Sequence, residues 1–182
     1  IKCYEIPESG RAARGTNAVN LLPLEQDEQI TAMIPVREYV GGMYLTMITR
    51  KGIVKRTAVE AYDTVRKGGL IALVIGKGDE LTHVSLTDGE QTLILVTRDG
   101  YAIRFSEQDV RPMGRKARGV RGIRLRGDDY VVQAGVCEAS EAVAAAAGRE
   151  LNPDSERMLL TVTRNGYGKR TSLSEFKIQS RG

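Results

Sequence analysis

Aromatic, cysteine and histidine side chains are scarce in this sequence of 182 residues, which has no Trp, two Phe, two Cys and one His. Because Cys3 and Cys137 stand far apart and His83 is the one histidine, we exclude a disulfide framework and a zinc site. Two such cysteines fit a reduced compartment. A catalytic triad would have His83 as its one base, with no supporting context. We therefore expect no catalytic residues, no metal and no cofactor in this chain.

Long apolar runs are also missing from the sequence. The longest, 70–75 and 142–147, have six residues each, whereas a membrane-spanning helix needs roughly 20. No charged and then apolar leader opens the sequence, so nothing indicates secretion and we expect a cytoplasmic protein. Proline is low at 5 and glycine high at 20, which favours a turn-rich architecture over a helical bundle.

The charges that are present are distributed unevenly. Lys and Arg number 27 and Asp and Glu 23, so the formal net charge is +4. Residues 98–126 hold nine basic and three acidic side chains, a local +6 by subtraction. Residues 138–157 form an Ala-rich insert with five acidic and two basic side chains. This pattern suggests a face that binds a polyanion, and a solvated surface of mixed charge would look similar.

A segment of 14 residues occurs three times without gaps, beginning at Tyr44, Thr92 and Met158. Each copy has an apolar run rich in β-forming residues, the pair Thr-Arg, a turn that ends in Gly, and a second short run. We interpret the turns as type I′, which requires positive φ at both central residues. The turn pairs are Lys51-Gly52, Asp99-Gly100 and Asn165-Gly166. We expect antiparallel strands at about 43–50, 53–57, 92–98, 101–105, 158–164 and 167–171.

Two further motifs recur in phase with the hairpins. A basic residue followed by Gly stands at 14, 67, 118 and 181, and an acidic pair begins at 27, 79 and 128. The unit is therefore about 50 residues with four short strands, which is typical of the blades of a propeller-like, all-β array. We place the blades at about 9–62, 63–113 and 114–176, with partial blades at both ends that suggest a piece of a longer array.

The recurring basic residues are the candidate binding site. A basic side chain repeated at blade pitch forms a stripe that can neutralise consecutive phosphates of a duplex. The alternative is that these residues pair with the acidic turns of neighbouring blades. Few aromatic residues lie among them, which disfavours base stacking on single strands. The candidates are Arg14, Lys55, Arg56, Arg66, Lys67, Arg104, Arg115, Lys116, Arg118, Arg121, Lys169, Arg170 and Arg181.

We expect contact to be densest where the basic residues are most closely spaced. That segment contains Arg115, Lys116, Arg118 and Arg121, helped by neighbouring Arg66, Lys67 and Arg104. If residues 115–124 form a strand, alternation puts Arg118 and Arg124 on one face and Arg115 and Arg121 on the other. If the segment is a loop followed by a strand, that pairing fails.

Three strings of the sequence closely resemble the C-terminal domain of DNA gyrase A. They lie at 11–25, 110–124 and 165–171, and the second is the most specific. The resemblance implies a β-pinwheel whose blades exchange strands, with duplex DNA bent around a basic perimeter. It also implies a role in ATP-dependent negative supercoiling, together with the rest of gyrase A and with gyrase B, in the bacterial nucleoid.

The resemblance has limits. The family's Gln-Arg-Arg-Gly-Gly-Lys-Gly signature is absent, and residues 179–182 resemble only part of it. No part of the sequence resembles the cleavage domain, so we expect this chain neither to cleave DNA nor to bind ATP. The equivalent domain of topoisomerase IV, and a propeller that binds an acidic protein, remain as alternatives.

Overall fold

The computed structural model describes residues 1–26, 28–39, 41–64, 69–137 and 157–182. Within these ranges the chain has nine β-strands and five short 3-10 turns, and no α-helix. The strands are β1 (Tyr44–Thr49), β2 (Ile53–Ala58), β3 (Leu81–Thr87), β4 (Thr92–Thr97), β5 (Ala102–Ser106), β6 (Val120–Arg121), β7 (Val131–Cys137), β8 (Met158–Val162) and β9 (Gly168–Ser172). The candidates Arg66 and Lys67, and the acidic insert except Arg157, lie outside the described residues.

The strands form three antiparallel sheets, in the orders β3-β1-β2-β6, β5-β4-β7 and β8-β9. The prediction of an all-β fold is therefore confirmed, and each of the six predicted hairpin strands is found within two residues of its expected ends. In the first sheet, β3 and β6 join the hairpin β1-β2 from later parts of the sequence. That sheet combines strands from all three predicted blades, because β3 lies after the limit at 62 and β6 after the limit at 113. The blade limits follow the sequence repeat and stay a prediction.

The hairpin turns lie where the sequence placed them, but the type I′ prediction was wrong. Among the described residues only glycines have positive φ, including +77° at Gly52, +85° at Gly100 and +83° at Gly166. In each turn the glycine amide donates to the carbonyl of the threonine three residues earlier, at 2.9 to 3.1 Å. The geometry is a type I turn followed by a left-handed glycine.

The threonine of each Thr-Arg pair explains this choice of turn. The amide after each turn glycine donates to that threonine's hydroxyl, at 3.2 Å in all three hairpins. The bulge would otherwise leave this amide without an acceptor. The geometry shared by the three turns therefore follows from one side chain that the type I′ interpretation left out.

The core lies between the first two sheets, where Ile48 and Val54 meet Leu93, Leu95 and Phe105. The short strand β6 lies against β2 because Gly119 precedes it. A Cβ at Gly119 would stand 2.7 Å from the carbonyl oxygen of Val54, and its φ of +94° also favours glycine. Close approach of the backbone thus brings the basic segment around residue 115 onto the first sheet.

Candidate nucleic-acid interface

The segment 111–119, here called the basic loop, is held against β2 at both of its ends. At one end Met113 donates its amide to the Arg56 carbonyl at 2.7 Å. At the other end Val120 pairs with Val54 in the antiparallel ladder of β6 and β2. Between these anchors the Ala117 amide donates to the Gly114 carbonyl at 3.0 Å and closes a turn. The basic loop is therefore an ordered excursion from the first sheet.

The basic side chains of this region lie at the surface. Lys116, Arg118 and Arg121 are exposed, and Arg115 is half-buried. Because only Val120–Arg121 is extended strand, the segment is a loop followed by a short strand, the alternative in which alternation does not set the faces. The turn at 114–117 and the left-handed Gly119 interrupt the pleat that alternation requires. The structure brings these cations together by loop geometry instead.

Arg181 joins this cluster from a distant part of the chain. Its Nη1 donates to the Arg121 carbonyl at 3.0 Å and its Nε to the Asp109 carbonyl at 3.1 Å. The neighbouring Gly182 donates its amide to Gly122 at 2.9 Å. The exposed residues Lys116, Arg118, Arg121 and Arg181, with half-buried Arg115, form what is called here the cationic edge.

Two recurring arginines of the second hairpin strands are buried instead. Arg56 is 6% and Arg104 8% exposed. The Arg56 guanidinium lies 4.5 Å from the Tyr44 ring centre, and its Nη1 is 3.5 Å from a carboxylate oxygen of buried Glu107. Arg104 donates to the Thr92 hydroxyl at 3.1 Å and to the Leu173 carbonyl at 2.9 Å.

Each of these arginines therefore reaches the 3-10 turn that follows the next hairpin. Those turns are Glu107–Asp109 for Arg56 and Leu173–Glu175 for Arg104. Such burial leaves little surface for a phosphate, and the contacts of Arg56 and Arg104 join neighbouring units. Sequence spacing alone could not separate this role from contact with DNA.

Lys55 is the most deeply buried of the candidates that the structure describes, with 0% of its surface exposed. Its Nζ donates to the backbone carbonyls of Ala72 and Arg115. Burial, followed by the charge of Arg115, lowers the pKa of Lys55 from its ordinary 10.5 to about 8. Lys55 thus lies behind the basic loop and not on its surface.

The remaining candidates are exposed but lie on other elements. Lys169 and Arg170 are on β9, and Arg14 lies in the segment before β1. Arg170 occupies the hairpin position of Arg56 and Arg104, since it pairs with Leu160 as they pair with Thr46 and Ile94. Contact of Arg14, Lys169 and Arg170 with DNA stays a prediction.

The arginines of the first two hairpin turns, which were not among the candidates, pair with the acidic motif. Arg50 donates to Glu80 at 2.8 Å, and Arg98 to Asp99 at 2.9 Å and Asp128 at 3.3 Å. The Asp99 and Asp128 carboxylates raise the pKa of Arg98, and Arg98 in turn lowers the pKa of Asp128. Pairing between basic residues and acidic turns, the alternative left open by the sequence, therefore applies to these arginines.

The acidic motif also caps the hairpin turns through backbone amides. Asp79 accepts the Lys51 amide at 2.8 Å, and Asp129 accepts the Asp99 amide at 3.1 Å. Burial alone would raise the pKa of Asp129, but hydrogen bonds from Thr97 and from two backbone amides lower it below its ordinary value. The acidic pairs at 79 and 128 thus join one unit to the turn of the unit before it.

The described ranges contain neither a metal-binding cluster nor a membrane-spanning helix. No group of three or more His, Cys, Asp or Glu side chains there could hold a metal ion. Nor does any helix in those ranges have the length and apolar character needed to cross a membrane.

Repeated hairpins, strands shared across units and a cationic edge define a propeller-like β-sheet array with a surface suited to anions. A model of the family described as "DNA gyrase C-terminal domain, beta-propeller" matches residues 1–37, 44–88, 91–138 and 157–182. The chain belongs to this family, which confirms the resemblance seen in the sequence. The fold is accordingly a β-pinwheel.

The relatives that match this chain are much longer proteins. DNA gyrase A of Salmonella typhimurium is 45% identical over 181 residues, and that of Haloquadratum walsbyi is 45% identical over 185 residues. Each match covers 100% of this chain, which spans only 19% and 20% of the two relatives.

Solved structures show the same architecture. A C-terminal domain of DNA topoisomerase IV is similar with a TM-score of 0.79 and 30% identity, over 92% of this chain and 48% of that one. A DNA gyrase A C-terminal domain is similar with a TM-score of 0.73 and 25% identity, over 100% of this chain and 53% of that one.

Proposed function

We propose that this chain is the duplex-DNA-binding and wrapping module of DNA gyrase A. The observation that carries the proposal is the cationic edge, where Arg181 joins Arg121 and the basic loop. Cations held this close can neutralise neighbouring phosphates of one duplex and release their counterions. Whole-chain similarity to gyrase A supports the choice of partner.

In the proposed mechanism this chain binds and bends DNA and catalyses no reaction itself. Arginine suits the edge because its planar guanidinium can hold phosphate oxygens at two donors. Bending a duplex costs on the order of several kcal/mol, which repeated phosphate contacts offset. In the whole enzyme, bent DNA would serve ATP-dependent negative supercoiling with the rest of gyrase A and with gyrase B, in the bacterial cytoplasm and nucleoid. Catalysis and cofactors would belong to those other parts.

Charge reversal on the cationic edge tests this proposal. Replacing Arg115, Lys116 and Arg121 with Glu should lower affinity for a short duplex at least about tenfold and reduce the salt slope by about 3. Thermal stability should change little, because these side chains are largely at the surface. Fluorescence anisotropy against salt and a melting curve measure the two quantities.

The matched control reverses the same number of charges elsewhere. Arg37, Lys51 and Lys77 are exposed residues outside the cationic edge, and their replacement with Glu changes the net charge equally. This control should retain most of the affinity. Equal loss in the two triple variants would mean that net charge, and not the edge, governs binding.

The equivalent domain of topoisomerase IV is the second candidate, because a solved domain of that enzyme is similar with a TM-score of 0.79. The family model and the whole-chain relatives favour gyrase. Wrapping is separable from simple bending by closing a nicked DNA circle with ligase in the presence of the chain. A wrapped path should leave a linking-number change of one hand after the protein is removed, whereas planar bending leaves none.

A further inference from the structure

Lys55 is fully buried, and its ammonium donates hydrogen bonds to backbone oxygens. Its Nζ donates to the carbonyls of Ala72 and Arg115, which are 17 and 60 residues away in the sequence. An ammonium taken out of water is costly unless it is well bonded. The two carbonyls therefore stabilise the buried ammonium, and the ammonium in turn fixes the positions of the two carbonyls.

The repeat shows that the hairpin itself does not require a lysine here. Lys55 pairs with Met47 in the first hairpin, and Ile103 pairs with Leu95 at the same place in the second. Ile103 belongs to the hydrophobic core. The third hairpin has Lys169 at this place, which pairs with Thr161 and is exposed. An apolar side chain thus satisfies the fold at this position, and the ammonium, which among the three hairpins is buried only at Lys55, has a local purpose.

That purpose is indicated by the part of the basic loop that Lys55 touches. Backbone bonds to β2 fix the loop at Met113 and at Val120. Between these anchors Lys55 holds the Arg115 carbonyl inside the turn closed by Ala117 and Gly114. The side chain that follows this carbonyl belongs to exposed Lys116.

We propose that Lys55 is a positioning residue of the DNA interface, whose buried ammonium sets the turn at 114–117 and thereby the placement of Arg115 and Lys116. The inference rests on the proposed function, since it assigns Lys55 a part in the same site. Lys55 acts through the basic loop and does not touch DNA itself.

The surroundings of Lys55 make this role sensitive to pH. Its pKa of about 8 means that the ammonium loses its proton in mild base, which weakens the charge-assisted bonds to the two carbonyls. Met47 lies opposite it, and segment 69–75 beside it has no ionisable side chain. Among the described residues, Arg115 is the charged group that faces Lys55. Arg115 also faces Tyr62, whose pKa is raised above its ordinary 10.0 by burial.

Stability and affinity should respond to pH in opposite directions. The folded pKa of Lys55 lies below its ordinary 10.5, so the unfolded chain binds more protons between about pH 8 and 10.5, and this group's contribution to stability rises over that range. On the proposal, DNA affinity falls as pH rises through 8. A lysine that only stabilised the fold would not make DNA affinity fall as pH rises through 8.

The test compares Lys55→Met with Lys51→Met in the full 182-residue chain. Lys51 is exposed and its Nζ donates to the Lys77 carbonyl at 2.9 Å, so the control also loses one charge, with one bond to a backbone carbonyl where Lys55→Met loses two. Affinity for a short duplex should fall about tenfold in Lys55→Met and much less in Lys51→Met. Hydrogen exchange at the Ala117 amide should accelerate only in Lys55→Met.

A pH series provides the second readout. Between pH 7 and 9 the unaltered chain should lose affinity with a midpoint near 8, whereas Lys55→Met should give a flat profile. If Lys55→Met does not fold, Lys55→Ile, which carries the residue found at position 103, takes its place. Should both fail to fold, a flat profile of the unaltered chain would overturn the proposal.

The outcomes separate this inference from the proposed function. If Lys55→Met binds DNA as Lys51→Met does while the charge reversal on the cationic edge abolishes binding, Lys55 has no positioning role and the proposed function stands. If the charge reversal leaves affinity unchanged, both proposals are wrong.

Discussion

Recurring arginines of this chain have different surroundings although they share a motif. Arg56 is buried against Tyr44 and Glu107, whereas Arg50 pairs with Glu80 at the surface. A buried ion pair contributes little net free energy when intact, but loss of one partner leaves an uncompensated charge. An exposed pair is screened by water and salt. The two arginines should therefore differ sharply in their effect on stability.

Replacing Arg56 with Met should lower the free energy of unfolding by about 3 to 5 kcal/mol, because Glu107 is left buried without its counter-charge. Arg50→Met is the matched control and should cost much less, because its pair with Glu80 is exposed and screened by water. Urea unfolding followed by circular dichroism measures both. Equal small losses would show that the Arg56–Glu107 pair does not join the two units.

In each hairpin the hydroxyl of one threonine stabilises the geometry of the turn. The Thr97 hydroxyl accepts the Tyr101 amide at 3.2 Å, and Thr97 is buried. Thr163 makes the same bond to Tyr167 in the third hairpin, where the residue is exposed. Water can replace a lost acceptor only at the exposed turn.

Replacing Thr97 with Val should therefore cost about 1 to 3 kcal/mol of unfolding free energy, while Thr163→Val should cost less than about 1 kcal/mol. The substitution keeps the β-branched shape and removes only the hydroxyl, which in Thr97 also donates to the Asp129 carboxylate and so adds to the cost at that turn. Chemical denaturation of the two variants gives the comparison. A larger loss for Thr163→Val than for Thr97→Val would contradict this account of the turns.

At the scale of the whole molecule, local features were predictable from the sequence and distant contacts were not. The positions of the hairpins follow from apolar runs and turn glycines, which are encoded within 14 residues. The partners β3 and β6 of the first sheet come from later parts of the sequence, and no pattern in the hairpin specifies them. The relation to the gyrase family was visible in short strings such as 110–124.

The proposed binding site was predictable only in part for the same reason. Glycine and arginine content marks the basic loop, but the contact between Arg181 and Arg121 joins residues 60 apart in sequence. Whether a basic residue is buried depends on the neighbouring unit, as at Lys55 and Arg104. Charge and spacing therefore marked the region that we propose as the interface, without separating its surface residues from the buried basic residues behind them.

We propose above that the cationic edge binds duplex DNA through its phosphates, and a salt titration of that binding is the decisive measurement. With about 4 to 8 phosphates neutralised, a plot of log K against log salt concentration should be linear with a slope of roughly −4 to −7. Duplexes that have equal length and flexibility but different sequences should give nearly the same slope and affinity. A flat response to salt, or strong preference for one sequence among equally flexible duplexes, would contradict the account.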